Sequence, residues 1–167
     1  MKAGYFSFII LLVSISVKAQ SVEYINTEPV YVLDSVVVTE AAISKLGPDA
    51  IAIITIAKGK KAVAMYGEQA ENGVIYMETK PFARNRINRL LSAFSPDYNK
   101  LLRQYGSDST FQYIVNNKLM TPTEESQLVA LEKKSLLGVE ILGPKKLEEQ
   151  YQVTGKNAGV VIKALSE

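Results

Sequence analysis

The 167-residue chain contains no cysteine, no histidine and no tryptophan. Without cysteine there is no disulfide, thiolate ligand or thiol nucleophile, and without histidine there is no imidazole ligand or histidine-based triad. Most familiar hydrolase and metalloenzyme chemistries are excluded at once. Charge of one sign is also scarce, with 19 basic residues against 17 acidic ones. What is present is a normal globular mixture, 47% hydrophobic and 22% charged with ten Gly and six Pro, which excludes a disordered tail, a coiled coil or a collagen. The length suits one compact domain or two very small ones.

The N-terminus speaks to compartment. Lys2 precedes an uncharged apolar run from Tyr5 to Val17, and Val17-Lys18-Ala19 has the small-residue pattern of a cleavage site, the order found in a secretory signal. Residues 1–19 are therefore expected to be removed, leaving Gln20 first in a periplasmic protein, stable by core packing without disulfides. The apolar run is shorter than the roughly 20 residues that span a bilayer, so no integral membrane span is expected after cleavage. No cysteine follows it to carry a lipid. Loss of Lys2 and Lys18 leaves 17 basic side chains against 17 acidic. A neutral surface presents phosphate with no general field, so nucleic acid is not an expected partner.

Downstream, Val30-Tyr31-Val32-Leu33 and Val36-Val37-Val38-Thr39 flank the polar pair Asp34-Ser35, which reads as a β-hairpin. A short helix fits Glu40 to Leu46, capped by Thr39 and stopped by Gly47-Pro48. The continuous β-branched run Ile51 to Ile56 predicts a strand covered on both faces. Lys60 to Tyr66 reads as a helix, and Val74 to Thr79 as a strand entered through the turn Glu71-Asn72-Gly73. The order is ββαβαβ.

The same order recurs. An offset of 82 places Tyr31 on Tyr113, Asp34-Ser35 on Asn116-Asn117 and Thr39 on Thr121; an offset of 85 places Ile56 on Ile141, Lys60-Lys61 on Lys145-Lys146 and Tyr66 on Tyr151; an offset of 86 places Gly73 on Gly159. Such small shifts are how duplicated units diverge at loops. Thr121-Pro122-Thr123-Glu124 predicts a capping box at the start of a helix. Between the copies, Ile87, Leu90, Leu91 and Phe94, then Tyr98, Leu101, Leu102 and Tyr105, have helical spacing, with Ser95-Pro96-Asp97 as a cap and Gly106 as a stop. The expected architecture is α/β (α+β): two ββαβαβ units with small mixed sheets over residues 28–80 and 111–165, joined by a helical connector over 81–110.

Residues 29–80 resemble the plug domain of TonB-dependent outer-membrane receptors, in particular the signature region of the SusC-like branch. The resemblance rests on Tyr31 to Asp34, Leu46-Gly47-Pro48-Asp49-Ala50-Ile51, Ile54-Thr55-Ile56, Ala64-Met65-Tyr66-Gly67 and Asn72-Gly73-Val74 through Lys80. Residues 111–165 match as a worn copy. Ser35 replaces the family's turn Gly, Ala57-Lys58 replaces the Leu-Lys that ends the middle strand, and Lys60-Lys61 enters where small residues are usual. A receptor barrel needs many alternating strands of roughly ten residues, and no such series exists in the chain. The resemblance implies a freestanding plug-like domain.

That resemblance implies a non-catalytic exported binding or scaffolding module with a protein partner in the cell envelope, near the outer-membrane transport machinery. Candidate partner-binding residues are the strand Val36, Val37 and Val38, which also resembles the TonB-contacting segment of such receptors, and the basic residues Arg84, Arg86 and Arg89 of the connector. A small-ligand binder (sugar or peptide) remains an alternative, with Tyr31, Tyr66 and Tyr113 as candidate contacts. So does an enzyme that uses Ser, Lys or acids, although Glu124-Glu125 and Glu148-Glu149 are adjacent on predicted helices and so point to different faces. Gly59-Lys60-Lys61 lacks the rest of a phosphate-binding loop, and no cofactor is expected. Gly67, Asn72 and Gly73 are expected to be structural turn residues, with Gly73 at positive φ.

Overall fold

A computed structural model describes residues 28–165. The expected signal segment and its cleavage site lie outside the described residues. The first unit runs β1 (Val30–Leu33), β2 (Val36–Val38), α1 (Glu40–Ile43), β3 (Ile51–Ala57), α2 (Lys60–Tyr66) and β4 (Val74–Thr79). Two long helices follow, α3 (Lys80–Phe94) and α4 (Pro96–Tyr105). The second unit runs β5 (Phe111–Val115), β6 (Lys118–Leu119), α5 (Glu125–Val129), β7 (Leu136–Leu142), α6 (Pro144–Tyr151) and β8 (Ala158–Ala164). The fold is mixed α/β, with two four-stranded sheets in the orders β2-β1-β4-β3 and β6-β5-β8-β7.

The sheets share their pairing as well as their order. In each, the first two strands form an antiparallel hairpin, the first and last pair in parallel, and the third closes antiparallel on the last. The hairpin turns match in backbone: Asp34 and Ser35 have φ 49° and 70°, and Asn116 and Asn117 have 48° and 67°. Positive φ at both central residues is the type I′ geometry that suits strand twist. Asp34 tolerates it because its carboxylate accepts bonds from Thr79 N and Thr79 Oγ1, both at 2.8 Å, across the sheet. Asn116 does the same at the equivalent place, accepting from Ala164 N at 2.9 Å and donating to Ala164 O at 3.1 Å.

Register fixes the correspondence residue by residue. Ile54 pairs with Met77 and Val139 with Ile162; the irregularities fall between Ile51 and Ile53 and between Leu136 and Gly138. One offset of 85 covers both third and fourth strands. The expected match of Gly73 with Gly159 is therefore corrected: Gly159 faces Gln112 and Leu142 where Val74 faces Val30 and Ala57, so Gly159 corresponds to Val74 and Gly73 to Ala158.

The connector obeys its cap signals. Ser95 accepts from Tyr98 N, Pro96 opens α4, and Gly106 ends it at φ 72°. Thr79, the last residue of β4, caps α3 by accepting from Phe82 N. The capping box at Thr121 does not open a helix: α5 begins at Glu125, and Thr121 to Glu124 form a turn held by Glu124 N donating to Thr121 O at 2.9 Å.

The largest core lies between the second sheet and the connector. Ala83, Ile87 and Leu91 of α3, Tyr98 of α4, and Leu128 and Val129 of α5 pack against Tyr113, Val115, Val160 and Ile162. A second cluster puts α6 on the opposite face of that sheet through Leu147, Ile114, Leu142 and Val161. A third puts α2 on the first sheet through Ala62, Val30, Val32 and Val74.

Candidate functional site

Directly paired residues in a sheet project to the same face. The registers therefore define two rows on the first sheet's face opposite α2: Val36–Leu33–Met77–Ile54 and Val38–Tyr31–Ile75–Ile56. All eight are apolar or aromatic. Met77 is buried, and Tyr31, Leu33, Val38 and Ile75 are half-buried. Val36 is 61%, Ile54 57% and Ile56 61% exposed.

The equivalent rows of the second sheet are Lys118–Val115–Ile162–Val139 and Met120–Tyr113–Val160–Ile141. There Val115, Ile162, Tyr113, Val160 and Met120 are buried beneath the connector helices, and Val139 and Ile141 pack against that core. The second unit thus carries helices where the first presents an apolar surface. This overturns one expectation: β3 is an edge strand with Ile54, Thr55 and Ile56 exposed, not a strand covered on both faces. Its apolar run reflects an uncovered face.

The candidate partner strand lies on the other edge of the same sheet. Val36 and Val37 are exposed, Val38 is half-buried, and Val36 and Val38 belong to the open rows. The basic connector is different. Arg84 bridges Asp108 at 2.5 Å and Glu125 at 2.7 Å, with its guanidinium 4.8 Å from the centroid of the Tyr113 ring. Arg86 pairs with Glu78 at 2.9 Å and donates to the carbonyls of Val129 and Leu131. Both are engaged within the chain, by partners on neighbouring elements; Arg89 is exposed on the same helix.

The three candidate tyrosines do not converge. Tyr31 stands in the open rows. Tyr66 meets Tyr76 edge-on at 6.2 Å on the α2 face, and a hydrogen bond with Tyr66 is the main influence raising the Tyr76 hydroxyl above its usual pKa. Tyr113 is buried in the second unit, its hydroxyl 2.7 Å from that of Tyr98 and donating to Asp108 Oδ2 at 2.8 Å. Burial pushes Tyr98 up to about 12 and Tyr113 higher still. A cavity of about 220 Å³ is lined by Arg84, Gln112, Tyr113 and Lys156 among others. Its guanidinium is already engaged by two carboxylates, so it is not arranged as a ready anion cradle.

The turn residues sit where backbone geometry needs them. Gly67 ends α2 at φ 75°, Asn72 is exposed, and Gly73 has φ 98° with its carbonyl accepting from Val30 N at 3.0 Å. A Cβ on Gly73 would stand 2.9 Å from Ala57 O.

Among the described residues, no group of three or more Asp or Glu is placed to hold a metal, no buried side-chain nitrogen or oxygen lacks a hydrogen bond, and no helix is long and apolar enough to cross a membrane. No family model matches the chain, and comparison with curated proteins and with solved structures gives no match.

Sequence reasoning named only Val36, Val38 and Tyr31 among the open rows and missed Leu33, Ile54, Ile56, Ile75 and Met77. A signal was available. Two sheets of one plan share a single pair of long connector helices, and one pair cannot cover both equivalent faces.

Proposed function

We propose that this chain is a non-catalytic protein-binding module of the cell envelope, exported to the periplasm, and that it works from its first unit. The observation that carries this reading is the apolar face of the first sheet, which has Val36, Ile54 and Ile56 more than half exposed, whereas Val139 and Ile141, the counterparts of the two isoleucines, are half-buried against the connector core. Contiguous apolar surface of this kind marks interaction sites in soluble proteins. Its continuity with β2 joins the face to a strand that is at the sheet's edge among the described residues, a second feature that favours contact with another chain. The likeness of residues 29–80 to receptor plugs supports a place near the outer-membrane transport machinery, with the barrel supplied by other proteins.

The test is reciprocal recovery of a partner from the native envelope, with the wild-type chain and with Val36→Lys. Val36 is 61% exposed and stands in the open rows, so the substitution is expected to leave the thermal midpoint unchanged and to abolish recovery. Loss of the fold would show that the strand is buried in the working protein; unchanged fold and unchanged recovery would remove β2 from the contact surface.

A further inference from the structure

We infer that the open face of the first sheet receives an amphipathic helix from a partner protein, with apolar side chains at i, i+4 and i+8. This rests on the protein-binding reading and names the class of partner.

The chain itself shows what covers such a face. In the second unit the matching positions join one core cluster with Ala83, Ile87 and Leu91 of α3, which have that spacing, and with Tyr98 of α4 and Leu128 and Val129 of α5. Four apolar residues apart on a helix lie one above another, so three of them form a stripe that fits a flat sheet. The first unit keeps the apolar partners of this contact position by position: Ile54 for Val139, Ile56 for Ile141, Ile75 for Val160 and Met77 for Ile162. Among the described residues, no helix covers those positions. The single polar departure runs in the same sense: covered β5–β6 has Lys118 at its margin, paired with Glu124 at 2.6 Å, where the open sheet has Val36.

Two other occupants are to be distinguished from a helix. A second copy packed face to face would bring three well-exposed aliphatic side chains and the flanks of four more to each side of the contact. A strand added along β2 would satisfy its free edge and leave Ile54 and Ile56, on the opposite edge, in water.

Photo-cross-linking in the native envelope separates these. The chain would carry p-benzoylphenylalanine at Ile54, at Ile56 or at Val37, one position at a time, and the cross-linked residues in the captured partner would be mapped by mass spectrometry. The expected result is capture from both Ile54 and Ile56, on partner residues spaced three or four apart, and at least a tenfold loss of capture when the other isoleucine is changed to Lys without loss of fold. Cross-links to a second copy, to residues 1–27 of this chain, or to alternate residues of a strand would overturn the helix while leaving protein contact standing. So would capture from Val37 alone. No cross-link from any of the three positions would overturn both the helix and the protein-binding reading.

Discussion

The two units share one plan but fill it with different side chains, and their helix-to-sheet contacts show how. In the first unit Val74 on the last strand packs with Ala62 on α2; in the second the same two places hold Gly159 and Leu147. The larger residue has moved from strand to helix. A Cβ on Gly159 would stand 2.7 Å from Leu147 Cδ1 and 3.4 Å from Leu142 Cβ, so the glycine there makes room for a side chain and is not answering a turn. Close-packed interiors require such compensation, because neither a void nor an added methyl is absorbed cheaply. The comparison teaches that a shared backbone plan survives when pairs change together, and that an apolar floor of the same pattern is packed under helices in one unit and open among the described residues of the other.

The largest expected effects break that pair. Leu147→Ala should cost about 2–5 kcal/mol, since Leu147 is fully buried. Gly159→Val should cost about 1–3 kcal/mol by overpacking. The double variant rebuilds the Ala–Val pair of the first unit and should be more stable than the sum of the single losses by at least about 1 kcal/mol. Denaturant unfolding of the four proteins checks this, and simple additivity would show that the two residues are not a matched pair.

Next in size is the contrast between Tyr113 and its counterpart Tyr31. Tyr113→Phe removes the hydroxyl that donates to Asp108 and lies beside Tyr98, leaving buried groups short of a partner, at about 1–3 kcal/mol. Tyr31→Phe, half-buried in the open rows, should stay within about 0.5 kcal/mol. The same network sets an alkaline limit. Tyr98 and Tyr113 hold their protons in the folded state to higher pH than an unfolded tyrosine, which ionises near pH 10. Their contribution is full below about pH 10 and is lost as pH rises toward the folded values, because only the unfolded chain releases protons there. Unfolding midpoints measured from pH 8 to 11.5 should fall above pH 10, and less steeply in Tyr113→Phe.

A smaller effect is expected at Gly73. At φ 98° it holds a conformation disfavoured for residues with a Cβ, and the added atom would press on Ala57 O. Gly73→Ala should therefore cost about 1 kcal/mol or more, while Ala158→Gly, at the equivalent place in the second unit, should lose about the same through chain entropy without strain. If both were neutral by thermal unfolding, the assigned equivalence would carry no difference in backbone demand.

Much of this architecture was legible in the residues because local chemistry decided it. The Asp34-Ser35 and Asn116-Asn117 turns, the Ser95-Pro96 cap and the Gly106 stop depend on neighbours within a few positions, and they formed where expected. Two things were not local. The Gly73–Gly159 match failed because glycine serves two purposes, backbone freedom in one place and space for Leu147 in the other, and only register distinguishes them. The open face was misread because an uninterrupted run such as Ile51 to Ile56 reports apolar side chains on both faces of a strand but not whether anything covers them. The ion pairs of Arg84 and Arg86 were hidden for a similar reason: their partners Asp108, Glu125 and Glu78 lie on other elements.

The smallest expected effect is the one that tests the open face most directly. Ile54→Thr and Ile56→Thr keep a β-branched side chain and so keep strand propensity, while removing apolar surface that already meets solvent. Each should change stability by no more than about 0.5 kcal/mol. Val139→Thr and Ile141→Thr make closely related changes at the matching positions of the second sheet, where the side chains pack against the connector core. There the introduced hydroxyl meets a desolvated neighbourhood, and each should cost about 1–2 kcal/mol. The difference between the pairs, read from urea unfolding of all four variants, measures what the connector helices contribute in one unit and leave undone in the other. Equal losses at Ile54 and Val139 would mean that the first face is already covered in the isolated protein and has no place for a partner. A loss at Ile54 that emerges only when the partner is bound would locate the missing cover in that partner.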